Sequence, residues 1–417
     1  MTLPISLDLL ILGGGVQGLA LLRELSPDYS ALLLDPDPGL SETLHFHGYF
    51  SSGWNAAHPL AAESYCRTAE HWRRLLADWG MEYCETAFDA ALSPEMVAAL
   101  CANWREAGIA AAEQVFPAPF AAQDLAAHRS YRFDGDLVFD GATAYCRLRR
   151  PWAERMRQGR VLEFSCSGKR IERVLVELDG GECELLPQML LCACGAGNAG
   201  ILARLPIPTA EVYAAQLVRP MHMLLMRGPR IPSLSGLLFD LVFVYHPLDR
   251  KEGLWILTLN PGEPKFTAGP IDMQRPPPAE PELVCATLDR LAAAIPDFHR
   301  LAADCRWSLY VGWKTDAPGP DGEPLLKLAY PRPYHLHDFG LENFLALWPN
   351  HWCLATEAAG EAAARVRAMI RPRHRQPRPT AETSPKMVTN RWQRRDLHWR
   401  DWAEFAAEIG YSRRHGR

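Results

Sequence analysis

The chain has 417 residues, 48% hydrophobic and 22% charged, the balance of a soluble globular protein with enough apolar material for two or three packed units. No apolar run reaches the roughly 18–20 residues of a membrane span, and residues 1–12 lack the basic start and cleavage site of a signal peptide. The net charge of −5 is uneven: residues 371–417 carry 12 Lys/Arg against 5 Asp/Glu, on a body with 32 basic and 44 acidic side chains. The eleven cysteines are odd in number and form no C-x-x-C pair, so Cys192, Cys194 and the rest read as buried free thiols of a cytoplasmic protein.

In chain order, residues 7–12 form a short apolar run that stops at Gly13-Gly14-Gly15-Val16-Gln17-Gly18, and an amphipathic stretch to Leu25 follows. A second apolar run, residues 31–34, ends at Asp35. Strand, glycine turn, helix, strand and acid make a βαβ unit with a parallel sheet behind it. Residues 63–79 have helical periodicity with Trp72, Leu75, Leu76 and Trp79 on one stripe, and residues 94–107 predict a second helix. Residues 130–206 predict short strands, one helix and an apolar strand at 188–193, closed by Gly195-Ala196-Gly197. From about 210 to 315 the pattern alternates, which predicts a mostly antiparallel sheet. A helix is expected from Pro281, an alanine-rich one over 355–370, and an extended basic linker over 371–379. No internal repeat is present.

The turn at Gly13 carries the first chemistry. In a G-x-G-x-x-G turn, Gly13 permits the bend, Gly15 lets a pyrophosphate approach the backbone, and Gly18 lets helix and strand pack closely. The phosphates then meet the free N–H groups at the helix N-terminus, with Val16 and Gln17 in its first turn. Asp35, 22 residues after Gly13, is placed to accept ribose hydroxyls, so the motif predicts FAD or NAD over NADP.

Three further segments carry a resemblance. Residues 45–58 read His-Phe-His-Gly-Tyr-Phe-Ser-Ser-Gly-Trp-Asn-Ala-Ala-His; residues 190–198 read Leu-Leu-Cys-Ala-Cys-Gly-Ala-Gly-Asn; residues 312–324 end in Asp-Gly-Glu-Pro. In this order they resemble the D-amino-acid oxidase/glycine oxidase superfamily over about residues 5–370. The Gly-Asp motif that flavin hydroxylases carry near their end is not apparent. The resemblance implies an α/β fold: a Rossmann-type FAD-binding domain assembled from residues 1–60, 130–206 and 318–370. A mostly antiparallel substrate domain, residues 61–129 and 207–317, is inserted, and residues 371–417 form a basic tail. It implies hydride transfer from a C–N bond to flavin, an imine that water hydrolyses, and O₂ or another acceptor. Gly13, Gly15, Val16, Gln17, Gly18, Asp35, Ser52, Asn55, Gly195, Gly197 and Asn350 are the expected cofactor contacts. Some relatives attach FAD through a histidine where this chain has Asn55, or through a late cysteine, so FAD is expected to be non-covalent.

The family often places an arginine before Asp-Gly-x-Pro to clamp a substrate carboxylate; here Asp316 falls near that place and Lys314 is the nearest cation. A lysine is a point charge without the bidentate geometry of arginine. Lys314, His351 and Tyr245 are the candidate catalytic residues, with His222, His246 and Tyr310 as further pocket candidates. His45, His47 and His58 have no zinc-type spacing, and no metal is expected. A small amine or amino acid is the expected substrate. A 2-hydroxy acid, an amine on a nucleic acid and a non-catalytic FAD scaffold are the alternatives. The nucleic-acid reading rests on the basic tail, where Trp392, Trp399 and Trp402 alternate with arginines. The competing reading of the tail is an amphipathic helix over 390–409 docked on the body.

Overall fold

The computed structural model describes residues 3–37, 42–121, 127–238, 241–248, 251–259, 271–272, 275, 277–319, 330–373 and 388–411. The chain runs β1 (Ile5–Leu12), α1 (Val16–Leu25), β2 (Ala31–Asp35), a 3-10 turn at Glu42–His45, β3 (Tyr49–Phe50), α2 (Pro59–Asp78) and β4 (Tyr83–Leu92). It continues through α3 (Pro94–Glu106), β5 (Ala111–Glu113), β6 (Arg129–Phe139), α4 (Gly141–Arg149), β7 (Met156–Ser167), β8 (Arg170–Leu178) and β9 (Gly181–Cys192). Then come α5 (Asn198–Leu202), α6 (Thr209–Ala214), β10 (Leu217–Gly228), β11 (Ser235–Leu238), β12 (Leu241–Pro247) and β13 (Gly253–Leu259). Last are α7 (Pro281–Ala294), α8 (Phe298–Ala303), β14 (Arg306–Asp316), β15 (His335–His337), β16 (Phe344–Trp348), α9 (Ala355–Met369) and α10 (Trp402–Glu408).

Among the described residues there are two sheets, one of seven strands and one of nine. In the first, β7, β2, β1, β9 and β16 lie side by side and parallel. Strand β9 changes partner along its length: residues up to Leu185 pair with β8 and residues from Leu185 to Cys192 pair with β1. A parallel sheet is covered on both faces, which explains why β1 is buried continuously from Leu7 to Leu12. Asp8, the charge in that run, accepts from the backbone N–H groups of Ser30 (2.9 Å) and Arg373 (3.0 Å), so it ties the strand to the chain leaving α9.

The nine-stranded sheet has the order β14-β10-β13-β12-β11-β4-β6-β3, with β5 on β6, and is antiparallel except where β11 meets β4. The 130–206 stretch therefore divides: β6 joins this larger sheet, while β7, β8 and β9 belong to the first and are long strands rather than short ones. Alternation sorts its side chains cleanly. Leu224, Met226, Trp255, Leu257 and Trp307 face α7, α8 and α10, whereas Met223, Leu225, Leu254, Ile256 and Tyr310 face the other way, toward Trp392 and Leu397.

The tail departs from both readings of it. Residues 390–409 are not one helix. A short turn at Arg391–Gln393 leads into an irregular stretch, and Trp307 and Arg400 exchange backbone hydrogen bonds of 2.8 and 2.9 Å before α10 begins. Strand β14 is an edge, and its unpaired backbone groups take the tail as a partner, which outweighs local helical preference. Trp392 is 5% exposed, with its ring 5.3 Å from that of His246, and Trp402 packs on Trp307 at 5.1 Å. These two rings pack on the body and are not free to stack on bases, and the described residues give the nucleic-acid reading of the tail no support. The basic stretch 374–387 lies outside the described residues.

Candidate functional site

At the end of β1 the chain turns at Gly13, whose φ is +100°; a Cβ there would sit 2.5 Å from the carbonyl oxygen of Ala193, and a Cβ on Gly18 would sit 1.8 Å from that of Gly13. Only glycine fits either place. Gly15 is the N-cap of α1, no acid occupies the first turn, and Tyr145 Oη donates to the Gly14 carbonyl at 2.7 Å to pin the bend. Asp35 stands at the end of β2 and accepts from Gly14 N at 2.5 Å and from Asp37 N at 2.8 Å. Burial pushes the Asp35 carboxyl up, against these bonds. Gly195, with φ +57°, and Gly197 form the turn after β9, held by Asn198, which accepts from Cys194 N and donates to Leu347 O. The ends of β1, β2 and β9 thus make one glycine-lined cradle at a helix N-terminus, open to anions and closed by a carboxylate, which fits a dinucleotide.

From the cradle the site extends toward the larger sheet. Val16 N donates to Thr43 Oγ1 (3.1 Å), so the Glu42–His45 turn sits on the start of α1. Gln17 Nε2 donates to the Ala355 carbonyl (3.3 Å), which draws α9 to the same place, and its buried Oε1 has no partner among the described residues. Tyr310 Oη donates to the His45 carbonyl at 2.8 Å and joins the turn to β14. Ser52 and Asn55 lie in the loop after β3. Ser52 N donates to Asp136 Oδ1 (2.6 Å), and Asn55 Oδ1 accepts from Ser51 (3.3 Å). Asp136 also accepts from Tyr49 Oη and Trp54 Nε1, and burial raises its carboxyl to about 6 despite these donors.

The candidate residues on the sheet separate. Lys314 and His351 come together; Tyr245 does not join them. Lys314 donates to Asp316 Oδ1 (2.9 Å) and to the Asn350 carbonyl, and Arg219 lies directly across from it on β10, its Nε 3.5 Å from Asp316 Oδ2. Arg219, Lys314 and Asp316 form a buried cluster with Asp316 fully enclosed. Burial pushes the Lys314 ammonium down, with Asp316 opposing. Burial would raise the Asp316 carboxyl, but Lys314 and Arg219 hold it below its usual range. Asn350, with φ +59°, uses its side chain to accept from Ala317 N (2.9 Å) and donate to Pro333 O (2.7 Å), so it shapes the turn. His351 follows, its ring edge-on to Tyr65 at 5.7 Å; burial and then Lys314 lower its imidazole to about 3, so it is neutral.

Tyr245 points to the opposite face. Its ring lies over Gly253 among the side chains under α7 and α8, because β12 alternates and His246, one residue on, takes the site-facing direction. His246 is itself bonded to the His47 carbonyl, and His222 accepts from Glu280 N. Arg219 and Glu42 were missed from the sequence, although Arg219 is a charge inside an otherwise apolar alternating strand and Glu42 stands three residues before His45. Both signals were present.

A model of the family described as DAO, FAD dependent oxidoreductase, matches residues 8–349. An FAD-dependent oxidoreductase from Pseudomonas aeruginosa is similar in fold at 20% identity and a TM-score of 0.61, covering 94% of this chain and 99% of the other. Glycine oxidase from Geobacillus kaustophilus is similar at 16% identity and 0.64, covering 89% and 100%. L-alpha-glycerophosphate oxidase from Mycoplasma pneumoniae, solved with FAD bound, is similar at 12% identity and 0.64, covering 90% and 98%. No curated protein matches the sequence. Among the described residues no helix is long and apolar enough to cross a membrane. The match over most of the chain, on a cradle that fits the cofactor, shows that this chain belongs to the DAO family of FAD-dependent oxidoreductases.

Proposed function

We propose that the chain oxidises the carbon–nitrogen bond of an amine or amino acid and leaves an imine that water hydrolyses. The observation that carries this reading is the buried cluster of Arg219, Asp316 and Lys314 beside the cradle. Two cations against one carboxylate, with His351 neutral, leave one positive charge in excess. That charge suits the carboxylate of an amino acid, and Arg219 brings the planar donor set that Lys314 alone lacks. The fold shared with a glycine oxidase supports the same substrate class.

Gly13, Gly15 and the first turn of α1, with Val16, Gln17 and Gly18, hold the pyrophosphate, and Asp35 accepts the ribose hydroxyls. Ser52, Asn55, Gly195, Gly197 and Asn350 line the walls of the same FAD site, which belongs mainly to the seven-stranded sheet with α1, α4 and α9. The nine-stranded sheet supplies the substrate side. FAD is held without a covalent bond, so acid precipitation should release it into the supernatant. Bound FAD supplies the hydride acceptor. Lys314 and Arg219 orient the substrate, and the 349–354 turn, packed through Trp352 against Phe46 at 4.9 Å, keeps bulk water from the reacting carbon.

Product analysis in air tests this. Incubation with amino acids and amines should yield carbonyl compound and ammonia in equal amounts. Carbonyl without ammonia from hydroxy compounds would favour C–O oxidation, the class to which a glycerophosphate oxidase of the same fold belongs. No product from either class would favour a binding protein.

A further inference from the structure

Glu42 and His45 form a pair that the reaction as described so far does not use. His45 Nδ1 lies 2.7 Å from Glu42 Oε2, and the same carboxylate oxygen accepts from Trp313 N at 3.2 Å. The pair sits over Gly312: a Cβ there would be 2.9 Å from His45 Nδ1 and 3.0 Å from Glu42 Oε2, so any other residue would displace it. On β14, Gly312 alternates with Tyr310 on one side and Lys314 on the other, all on the site-facing side of the sheet. The turn carrying the pair rests on the first residue of α1 through Thr43 and is tied to the sheet through Tyr310. Thus the imidazole stands where the cofactor cradle meets the substrate face.

A carboxylate bonded to Nδ1 fixes the ring tautomer and leaves Nε2 as an acceptor. No hydrogen-bond partner for His45 Nε2 occurs among the described residues, and the side chain is 18% exposed, so a small molecule can reach it. Histidine is the side chain that changes charge between about pH 5 and 8. An amine arrives at neutral pH mostly as an ammonium ion, which cannot give up a hydride until its nitrogen has lost a proton and regained a lone pair.

We propose that His45 is the base that takes this proton, with Glu42 as the positioning residue that holds the ring and fixes its tautomer. The inference rests on amine oxidation as the reaction. The N–H bond of the ammonium breaks, its electron pair stays on nitrogen, and the proton joins His45 Nε2. Bound FAD would supply the acceptor for the hydride that leaves the carbon, which balances the two-electron oxidation of the substrate to an iminium ion. His45 returns its proton to water when product leaves. The titratable groups facing the pair from β14 are Tyr310, its ring 5.7 Å from that of His45, and Lys314, two residues beyond Gly312 on the same face. From the tail, Arg391 lies over Tyr310 at 5.8 Å and Arg394 interacts with Glu42.

The test is the rate of anaerobic flavin bleaching by a chosen amine, followed in stopped flow from pH 6 to 10 on the FAD-loaded protein. His45→Asn keeps a donor toward Glu42 and removes the base. Its bleaching at pH 7 should fall by about 100-fold, the low end for general base catalysis, and rise tenfold per pH unit toward the amine's own range. Added imidazole should restore part of the rate. Glu42→Gln should lower the rate at pH 7 and change the shape of the pH profile, because the ring loses the carboxylate that fixes its tautomer. If His45→Asn does not retain flavin, the Glu42→Gln profile decides alone. Profiles parallel to the unaltered protein in the variants would overturn the assignment. If no amine bleaches the unaltered protein at any pH, amine oxidation itself is wrong, a failure distinct from that of His45.

Discussion

Replacing Asp316 by asparagine removes one charge and almost no volume, and the surroundings of that charge set the outcome. Asp316 is 0% exposed, and its two cationic partners are buried as well, with side-chain exposures of 4% for Arg219 and 18% for Lys314. Solvent screening, which reduces surface pairs to below about 1 kcal/mol, does not apply here. Arg219 and Lys314 face each other in cross-strand register, so the variant leaves two uncompensated cations side by side. Breaking a buried pair from one side costs about 3–5 kcal/mol, and the loss should fall in that range at pH 7. The pH dependence supplies a second signature. Burial already sets the Lys314 ammonium below its unfolded value, and without Asp316 it drops further. The unfolded chain then binds more protons over that window, so the variant should recover stability as pH rises from 7 toward 10. Equilibrium urea unfolding followed by tryptophan emission, at pH 7 and pH 9.5, measures both. A loss below about 1 kcal/mol with an unchanged pH profile would refute the reasoning that these charges form one buried unit.

Other predictions follow from single contacts. Gly13→Ala, whose added carbon meets the Ala193 carbonyl at 2.5 Å, should yield protein with little or no bound flavin by the ratio of 450 to 280 nm absorbance. Asp136, raised to about 6 against an ordinary value of 3.8, is protonated more readily in the folded chain. Its contribution is full below about pH 4 and should fall by roughly 3 kcal/mol as pH rises through 6, a slope that Asp136→Asn should abolish in urea midpoints. Trp392→Ala removes a buried ring from beside His246 and should let trypsin cut within residues 391–400, which the unaltered protein resists.

The parts of the fold carried by local pattern were legible in the sequence. The β1 turn, α1 and β2 follow from apolar runs broken by glycine and an acid; α3, α7 and α9 start within a residue or two of their expected places. What the sequence concealed was decided by distant partners. Nothing local says that β6 pairs with β4, or that an exposed edge on β14 recruits the tail at Arg400. Tyr245 and His246 illustrate the same limit within the site: one residue of register sends them to opposite faces, and the alternation of β12 alone does not name which face meets the cofactor. Lys314 could be read as a lone cation, but its cross-strand neighbour Arg219 is 95 positions earlier in the chain, so the cluster emerges only when β10 and β14 pair.

Hydride removal from a carbon bonded to nitrogen is the reaction proposed for this FAD-dependent chain. The direct measurement is the visible spectrum of the purified protein, loaded with FAD and kept without oxygen, on mixing with a panel of amino acids, simple amines and 2-hydroxy acids. A yellow protein is expected, whose 450 nm band bleaches with at least one amine or amino acid, returns when acceptor is admitted, and is unmoved by hydroxy acids. Bleaching by hydroxy acids alone, or by nothing in the panel, would contradict that reaction.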